Sequence, residues 1–404
     1  MHASRKKRVL IIVHGAISRQ PRVLMEIDAL APFYEVYVAG WEGEGIQGIR
    51  FIDIQDTLDP DPVKLDFHHR YPSIFRKLIS FFIRVTGYKK REILDYYDYD
   101  KTGHVRYKLL KRLWHIQPAL IIVHNLELLP LALSDEFKGA KVIANAHEYY
   151  PSLLSDVPGW NETEKPKADL LCRDHLTKAD KVWTVCDSIS AKYFMEFGVR
   201  SVVIRNSKPF IELPVQTIDE KNIRIVHHGS AIPSRKIGVM ISMMDHLPSN
   251  YSLHLYLVPA YKEYYETLRS DASSNPRVVF HDPVKTSEII QETNQYDIGL
   301  FLLPPVNFNY ENALPNKFFE FVQARLALAI GPSPEMKKYV EKYKLGMLAA
   351  DFSAESMAKV ISGTSAVRLM EFKNNAHKAA IPLSDVEDRK IILEEVRSLT
   401  GPQK

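Results

Sequence analysis

At 404 residues, 46% hydrophobic and 25% charged, the chain reads as a soluble globular protein long enough for two domains with cores of their own. The 53 Lys and Arg against 49 Asp and Glu leave a formal charge of only +4, too weak and dispersed for a nucleic-acid footprint. Cys172 and Cys186, without metal-ligand or CxxC spacing, fit buried free thiols in a reducing compartment.

The opening MHASRKKRVLIIVHG sets a basic cluster before VLIIV, which is too short for a signal-peptide core and reads as a first strand. No run approaches the roughly 18 apolar residues of a membrane span. The expected location is therefore the cytoplasm, with attachment to the inner membrane surface left open. Along the chain, RVLIIVH, a helix near PRVLMEIDALAP and YEVYVAG come first, and ALIIVHN, KVIANAH, KVWTV and SVVIR follow. Five to seven apolar residues with little alternation predict strands buried on both faces of a parallel sheet, an α/β domain of Rossmann type.

Residues 61–113 break this rhythm. Phe75, Leu78, Ile79, Phe82 and Ile83 recur at helical spacing beside Arg76, Lys77, Arg84, Lys89, Lys90 and Arg91. Two readings stand: a core-packed helix with a solvated basic flank, and a membrane-surface helix at 73–91. The polar, Pro-containing stretch 206–222 reads as a linker, after which IRIVHHG, SLHLYLV, RVVFHD, DIGLFLL, LALAIG and LGMLAA restart the pattern as a second α/β domain. VEDRKIILEEVRSL closes the chain as an amphipathic helix. The expected division is 1–205 with its insert, 206–385, and a terminal helix at 386–404.

Chemistry concentrates at strand-to-helix turns. In NALPNKFFEF, Pro315 should stand near the first turn of a helix whose free N–H groups suit a phosphate or pyrophosphate. Asn316 and Glu320 then share a face, and the Glu320 carboxylate can accept both vicinal hydroxyls of a ribose. The plain alternative makes Asn316 a local cap and Glu320 an exposed helical charge. In HHGSAIPSRKIG, Gly229 lets backbone approach a ligand, and Arg235 and Lys236 can neutralise a diphosphate; an ordinary βα loop explains the same residues. HGAISRQPRV at 14–23 and NAHEYYP at 145–151, with His147 and Glu148, also end strands, where open α/β sheets bind ligands. A GxSxG elbow, an HExxH pair and a P-loop are all missing.

Together these segments resemble the GT-B glycosyltransferases, specifically the retaining family 4-like group, over nearly the whole chain. PRVLMEIDALAPFYEVYVAG, PALIIVHNLELLPLAL, AHEYYP, ADKVWTVCDSIS, HHGSAIPSRKIG, YDIGLFLLP, LPNKFFEFVQARLALAIG and KLGMLAADFSAESMAKVI carry the resemblance. It implies two Rossmann-like domains facing across a cleft, with the C-terminal helix crossing back to the N-terminal domain. Glu320 matches the second acid of the family's E-x7-E element, which binds the nucleotide ribose. Pro315, Asn316, Lys317 and Phe318 match the helix start whose backbone meets the diphosphate. Lys236, with Arg235, matches the pair that neutralises the leaving phosphate, His147 the histidine near the donor sugar, and Gly15 the loop under the diphosphate and acceptor. Asn312 stands where the first acid is expected, and Ser230 where an arginine often follows the glycine.

The resemblance implies transfer of a sugar from a nucleotide diphosphate sugar to a glycan or lipid-linked acceptor with retention of configuration, in surface polysaccharide or glycoconjugate assembly. No cofactor and no metal are expected, and no nucleic-acid partner. The competing readings are a GT-B-like sugar-nucleotide epimerase or phosphorylase, and a non-catalytic nucleotide-sugar-binding subunit.

Overall fold

The structure, a computed structural model, describes residues 6–55 and 109–401; the basic helix expected at 73–91 lies outside them. The apolar runs form two parallel sheets. In the first, strands β1 (Arg8–Ala16), β2 (Glu35–Trp41), β3 (Ile49–Asp53), β4 (Leu120–Val123), β5 (Lys141–Asn145), β6 (Lys181–Thr184) and β7 (Val202–Val203) take the order β3-β2-β1-β4-β5-β6-β7. In the second, β8 (Ile223–Ser230), β9 (Tyr251–Val258), β10 (Val278–His281), β11 (Ile298–Phe301), β12 (Ala327–Ile330) and β13 (Gly346–Leu348) take the order β10-β9-β8-β11-β12-β13. Both orders are doubly wound, as the uninterrupted apolar runs predict. Strands β4, β11 and β12 are buried along their whole length.

Two local readings change. Gly15 does not lie in a turn: β1 continues through Gly15 to Ala16, with a register irregularity after Ile12. Strand β3 goes unread in the sequence because every residue of IRFID is half-buried or exposed, so it has no apolar run to give it away.

By compactness the chain forms two units, one of Met1–Asn145, Lys167–Asp180 and Ser398–Lys404, the other of Ala146–Pro166 and Lys181–Arg397. In the first, buried Glu26 of the helix Pro21–Leu30 accepts a hydrogen bond from Asn145 Nδ2 at 2.6 Å and lies 2.8 Å from His124 Nε2. This ties the helix to residues ending β4 and β5. In the second, Ile225, Leu253, Leu255, Ile298 and Leu300 build one side of a continuous core. The terminal helix Val386–Thr400 begins in the second unit, where buried Asp388 pairs with Arg205 at 3.0 Å, and ends in the first, where Thr400 Oγ1 is 3.0 Å from Tyr34 Oη. Cys172 and Cys186 are buried free thiols. No helix among the described residues is long and apolar enough to cross a membrane.

One contact controls where the chemistry will sit. A Cβ on Gly299 of β11 would lie 2.5 Å from Cγ of Phe321, so the glycine lets the helix Asn316–Gln323 settle directly on the strand. Gly299→Ala should cost about 1–3 kcal/mol through overpacking, read from the midpoint of urea unfolding. A midpoint unchanged from wild type would contradict this close approach.

Candidate functional site

The second sheet reverses its winding between β8 and β11, and open α/β sheets bind ligands outside the carboxyl ends of their strands at such a point. Here β8 ends in His227, His228, Gly229 and Ser230, and β11 ends in Phe301. His227 is buried, with Nδ1 2.9 Å from Leu300 O and its ring stacked on Phe301 at 6.2 Å. Burial, then the charge on Lys317, holds its pKa well below the usual histidine value, so the ring is neutral.

Gly229 has φ +121°, a conformation that favours glycine. A Cβ there would lie 3.0 Å from Lys317 Nζ and 3.5 Å from Arg235 Nη1. The two cations therefore flank one point beside the backbone. Arg235 ends the turn Pro233–Arg235 and donates Nη1 to Ser230 O at 3.0 Å. Lys317 is only 8% exposed and holds its ammonium 4.6 Å from the centre of the Phe301 ring. It has no ion pair or hydrogen bond among the described residues. Burial, then Arg235, pushes its pKa well below the ordinary lysine value, with Glu320 opposing. The helix Asn316–Gln323 starts at this spot, and Pro315 at its N-cap makes no side-chain cap bond. Two cations and an amide-rich helix end converge on a small region where, among the described residues, neither cation forms an ion pair, although the Glu148 carboxyl is within electrostatic reach of Arg235.

One turn along the helix, Glu320 is 4% exposed. Lys208 Nζ lies 3.0 Å from Oε1, and His228 Nε2 lies 3.4 Å from Oε2 without hydrogen-bond alignment. Burial alone would raise the carboxyl pKa, but Lys208 and then His228 outweigh it and hold Glu320 below the usual carboxylate value. Burial brings His228 down to about 4. Glu320 is therefore a buried, ionised acceptor, not the exposed helical charge of the plain alternative.

The remaining candidates separate. Ser230 contributes its carbonyl to Arg235, and Phe318 packs in the core, 1% exposed. Asn316 opens the helix, half-buried. Lys236 is exposed, with φ 51°, and is not drawn into the group. Asn312 is buried and turns its Nδ2 to Phe308 O at 3.0 Å, so its amide holds the end of the helix Phe308–Glu311. His147 is half-buried and Glu148 keeps an exposed surface; desolvation by the surrounding protein raises the Glu148 carboxyl pKa above its ordinary value, with Arg235 opposing. Gly15 belongs to the first unit, with Gln20 Nε2 2.8 Å from where its Cβ would be.

Sequence reasoning missed Lys208 and Phe301. Lys208 lies in the irregular linker, and no periodicity points to it. It is buried because it bridges to Ser384 and its carbonyl accepts Asp385 N at 3.0 Å.

No protein-family model and no curated protein matches the chain. Solved structures do. Sucrose-phosphate synthase from Thermosynechococcus elongatus is 11% identical with a TM-score of 0.70, covering 98% of this chain and 99% of its own. HepE from Anabaena, solved in complex with UDP-glucose, is 13% identical with a TM-score of 0.66, covering 97% and 100%. WaaG, a glycosyltransferase involved in lipopolysaccharide biosynthesis, is 13% identical with a TM-score of 0.64, covering 98% and 100%. The shared architecture, two doubly wound Rossmann-like sheets along one chain, is the GT-B fold.

Lys208→Met should destabilise the protein by ~3 kcal/mol at neutral pH, because it leaves a buried carboxylate short of its main partner. Glu320 has a lowered folded pKa, so its contribution is present above the unfolded value of about 4.3 and fades as pH falls through the folded value. Urea unfolding across pH should therefore show the gap between wild type and variant closing in acid. A gap that does not depend on pH would refute the pairing.

Proposed function

We propose that this chain is a retaining glycosyltransferase that moves a sugar from a nucleoside diphosphate sugar to a glycan or lipid-linked acceptor. The observation that carries the reading is the pair Arg235 and Lys317 on either side of Gly229 at a helix N-terminus, with the ionised Glu320 one turn further on. A diphosphate satisfies the two cations, and the ribose that follows it supplies hydroxyls to the carboxylate. The fold shared with WaaG, a glycosyltransferase, and with HepE, solved in complex with UDP-glucose, supports this choice and makes UDP the first nucleotide to try. A glycan of lipopolysaccharide type is the acceptor class suggested by WaaG.

In the reaction the bond from the anomeric carbon to the phosphate oxygen breaks as that carbon bonds to an acceptor oxygen. The acceptor proton passes to the departing phosphate oxygen on the same face. Charge builds on the leaving diphosphate, so the cations and the helix end stabilise the transition state more than the ground state. This assigns to Arg235, Lys317 and the helix the work a metal ion does elsewhere, and leaves the transfer metal-independent. His147 is assigned to the donor sugar. Surface attachment through residues 73–91 would bring the enzyme to a lipid-linked acceptor.

Lys317→Met and Arg235→Ala should each weaken nucleoside diphosphate binding by about 1.5–3 kcal/mol, roughly tenfold or more, in a calorimetric titration. Lys236→Ala, at an exposed position, should weaken it less than Arg235→Ala. Unchanged affinity in both Lys317→Met and Arg235→Ala would sink the assignment. Incubating the donor with and without acceptor separates transfer from epimerisation, which changes the donor alone.

Binding should also move a proton. The folded pKa of Lys317 is depressed, and an anion placed against it raises that pKa again. Between the two values the complex holds more protons than the free enzyme, so affinity falls as pH rises and binding takes a proton from the buffer. Titrations in buffers of different ionisation enthalpy should record this uptake in the wild type and not in Lys317→Met. Equal uptake in both proteins would remove Lys317 from the anion site.

A further inference from the structure

We infer that Asn309 is a positioning residue that fixes the His147–Glu148 segment against the anion site, an inference that rests on the donor reading above. Ala146 N still donates to Trp183 O of β6 at 2.8 Å, and beyond it side chains hold the backbone groups of residues 148–150 one after another. Tyr193 Oη donates to Glu148 O at 2.9 Å and accepts from Tyr150 N at 3.1 Å. Between these two, Asn309 accepts from Tyr149 N at 2.7 Å through Oδ1 and donates Nδ2 to Tyr149 O at 3.1 Å. The Asn309 amide is buried, 7% exposed, so both bonds are made away from water.

The element that carries Asn309 also reaches the turn that bears Arg235. Tyr310 Oη lies 2.9 Å from Ser234 Oγ, next to Arg235. Asn307 caps the same short helix by accepting Tyr310 N at 2.9 Å, and donates Nδ2 to Asp156 Oδ1 at 2.7 Å. The Phe308 ring packs edge-on to Tyr149 at 5.5 Å. After four further residues the chain enters the helix that carries Lys317 and Glu320. One bracket, 307–310, thus joins the segment bearing His147 and Glu148 to the turn bearing Arg235. Simple core stabilisation does not need a bidentate amide on a loop peptide; a fixed separation between the sugar-facing side chains and the phosphate-facing cations does. A reacting group displaced by about 1 Å costs on the order of 10²-fold in rate.

The test compares Asn309→Ala with Asn294→Ala. Asn294 is a second buried asparagine, which donates its amide to Pro214 O and to Ala324 O, each at 3.0 Å, at the C-terminal end of the helix Asn316–Gln323, opposite the first turn that faces the anion site. Asn309→Ala should bind UDP within about threefold of wild type, lose at least tenfold in kcat, and speed amide exchange across residues 147–151. Asn294→Ala should lose comparable thermal stability and keep its kcat. Asn309→Asp, which retains an acceptor for Tyr149 N, should recover part of the lost kcat and stands in should the alanine variant fold poorly. The inference is overturned if Asn309→Ala loses no more kcat than Asn294→Ala, or if exchange at 147–151 is unchanged. A wild-type chain that binds no nucleoside diphosphate in the same titration overturns the donor reading, and with it the catalytic purpose of Asn309. Accelerated exchange in that case would show that the bracket itself is real.

Discussion

A lysine ammonium set against a phenyl ring, with an arginine nearby and no carboxylate in contact, is an expensive arrangement, because a buried charge needs a partner or gives up its proton. Among the described residues, Lys317 is in this position. Its attraction to the face of Phe301 offsets only part of the cost, since a desolvated cation–π contact contributes roughly 2 kcal/mol. The nearest acid along the helix, Glu320, is engaged by Lys208 and His228. The fold holds Lys317 there through the aromatic face of its own helix: Phe318, Phe319 and Phe321 are all at most 1% exposed. An anion supplied from outside is the partner such a site lacks.

The same helix fixes where the site sits. Its buried side anchors to β11 through the close approach at Gly299, and its first turn reaches the end of β8 at Gly229. The cations are therefore set by strands, and Glu320 is set by a buried ion pair. Electrostatic stabilisation of a leaving group works best when the charges need not reorganise. Lys208 contributes to this although it comes from an irregular stretch, since the 206–222 segment is pinned at Ser384 and Asp385. Holding Glu320 ionised keeps it an acceptor for hydroxyl groups over the whole neutral range.

The fold was legible because parallel strands buried on both faces write themselves as short apolar runs. β3 escaped because its side chains are half in water. The site was legible in part: Glu320 and Gly229 stand at turns whose residue types point to phosphate and ribose chemistry. What the string could not give was direction. Arg235 and Lys236 are adjacent, and only the backbone conformation decides that Arg235 faces Gly229 while Lys236 faces solvent. Asn312 stands where the resemblance expects an acid, but its amide closes a short helix. Lys208 and Phe301 were invisible because their roles depend on tertiary neighbours, and Lys317 read as one residue of a helix start rather than as a buried charge with no ion pair among the described residues.

The central claim is that Lys317 and Arg235 together receive the diphosphate of the donor. A crystal structure of the chain with UDP tests it most directly. The account predicts phosphate oxygens within about 3 Å of both Lys317 Nζ and the Arg235 guanidinium, with the ribose hydroxyls on Glu320. An ordered diphosphate that touches neither cation, or that pairs with Lys236 while Lys317 keeps only its contact with Phe301, would contradict it.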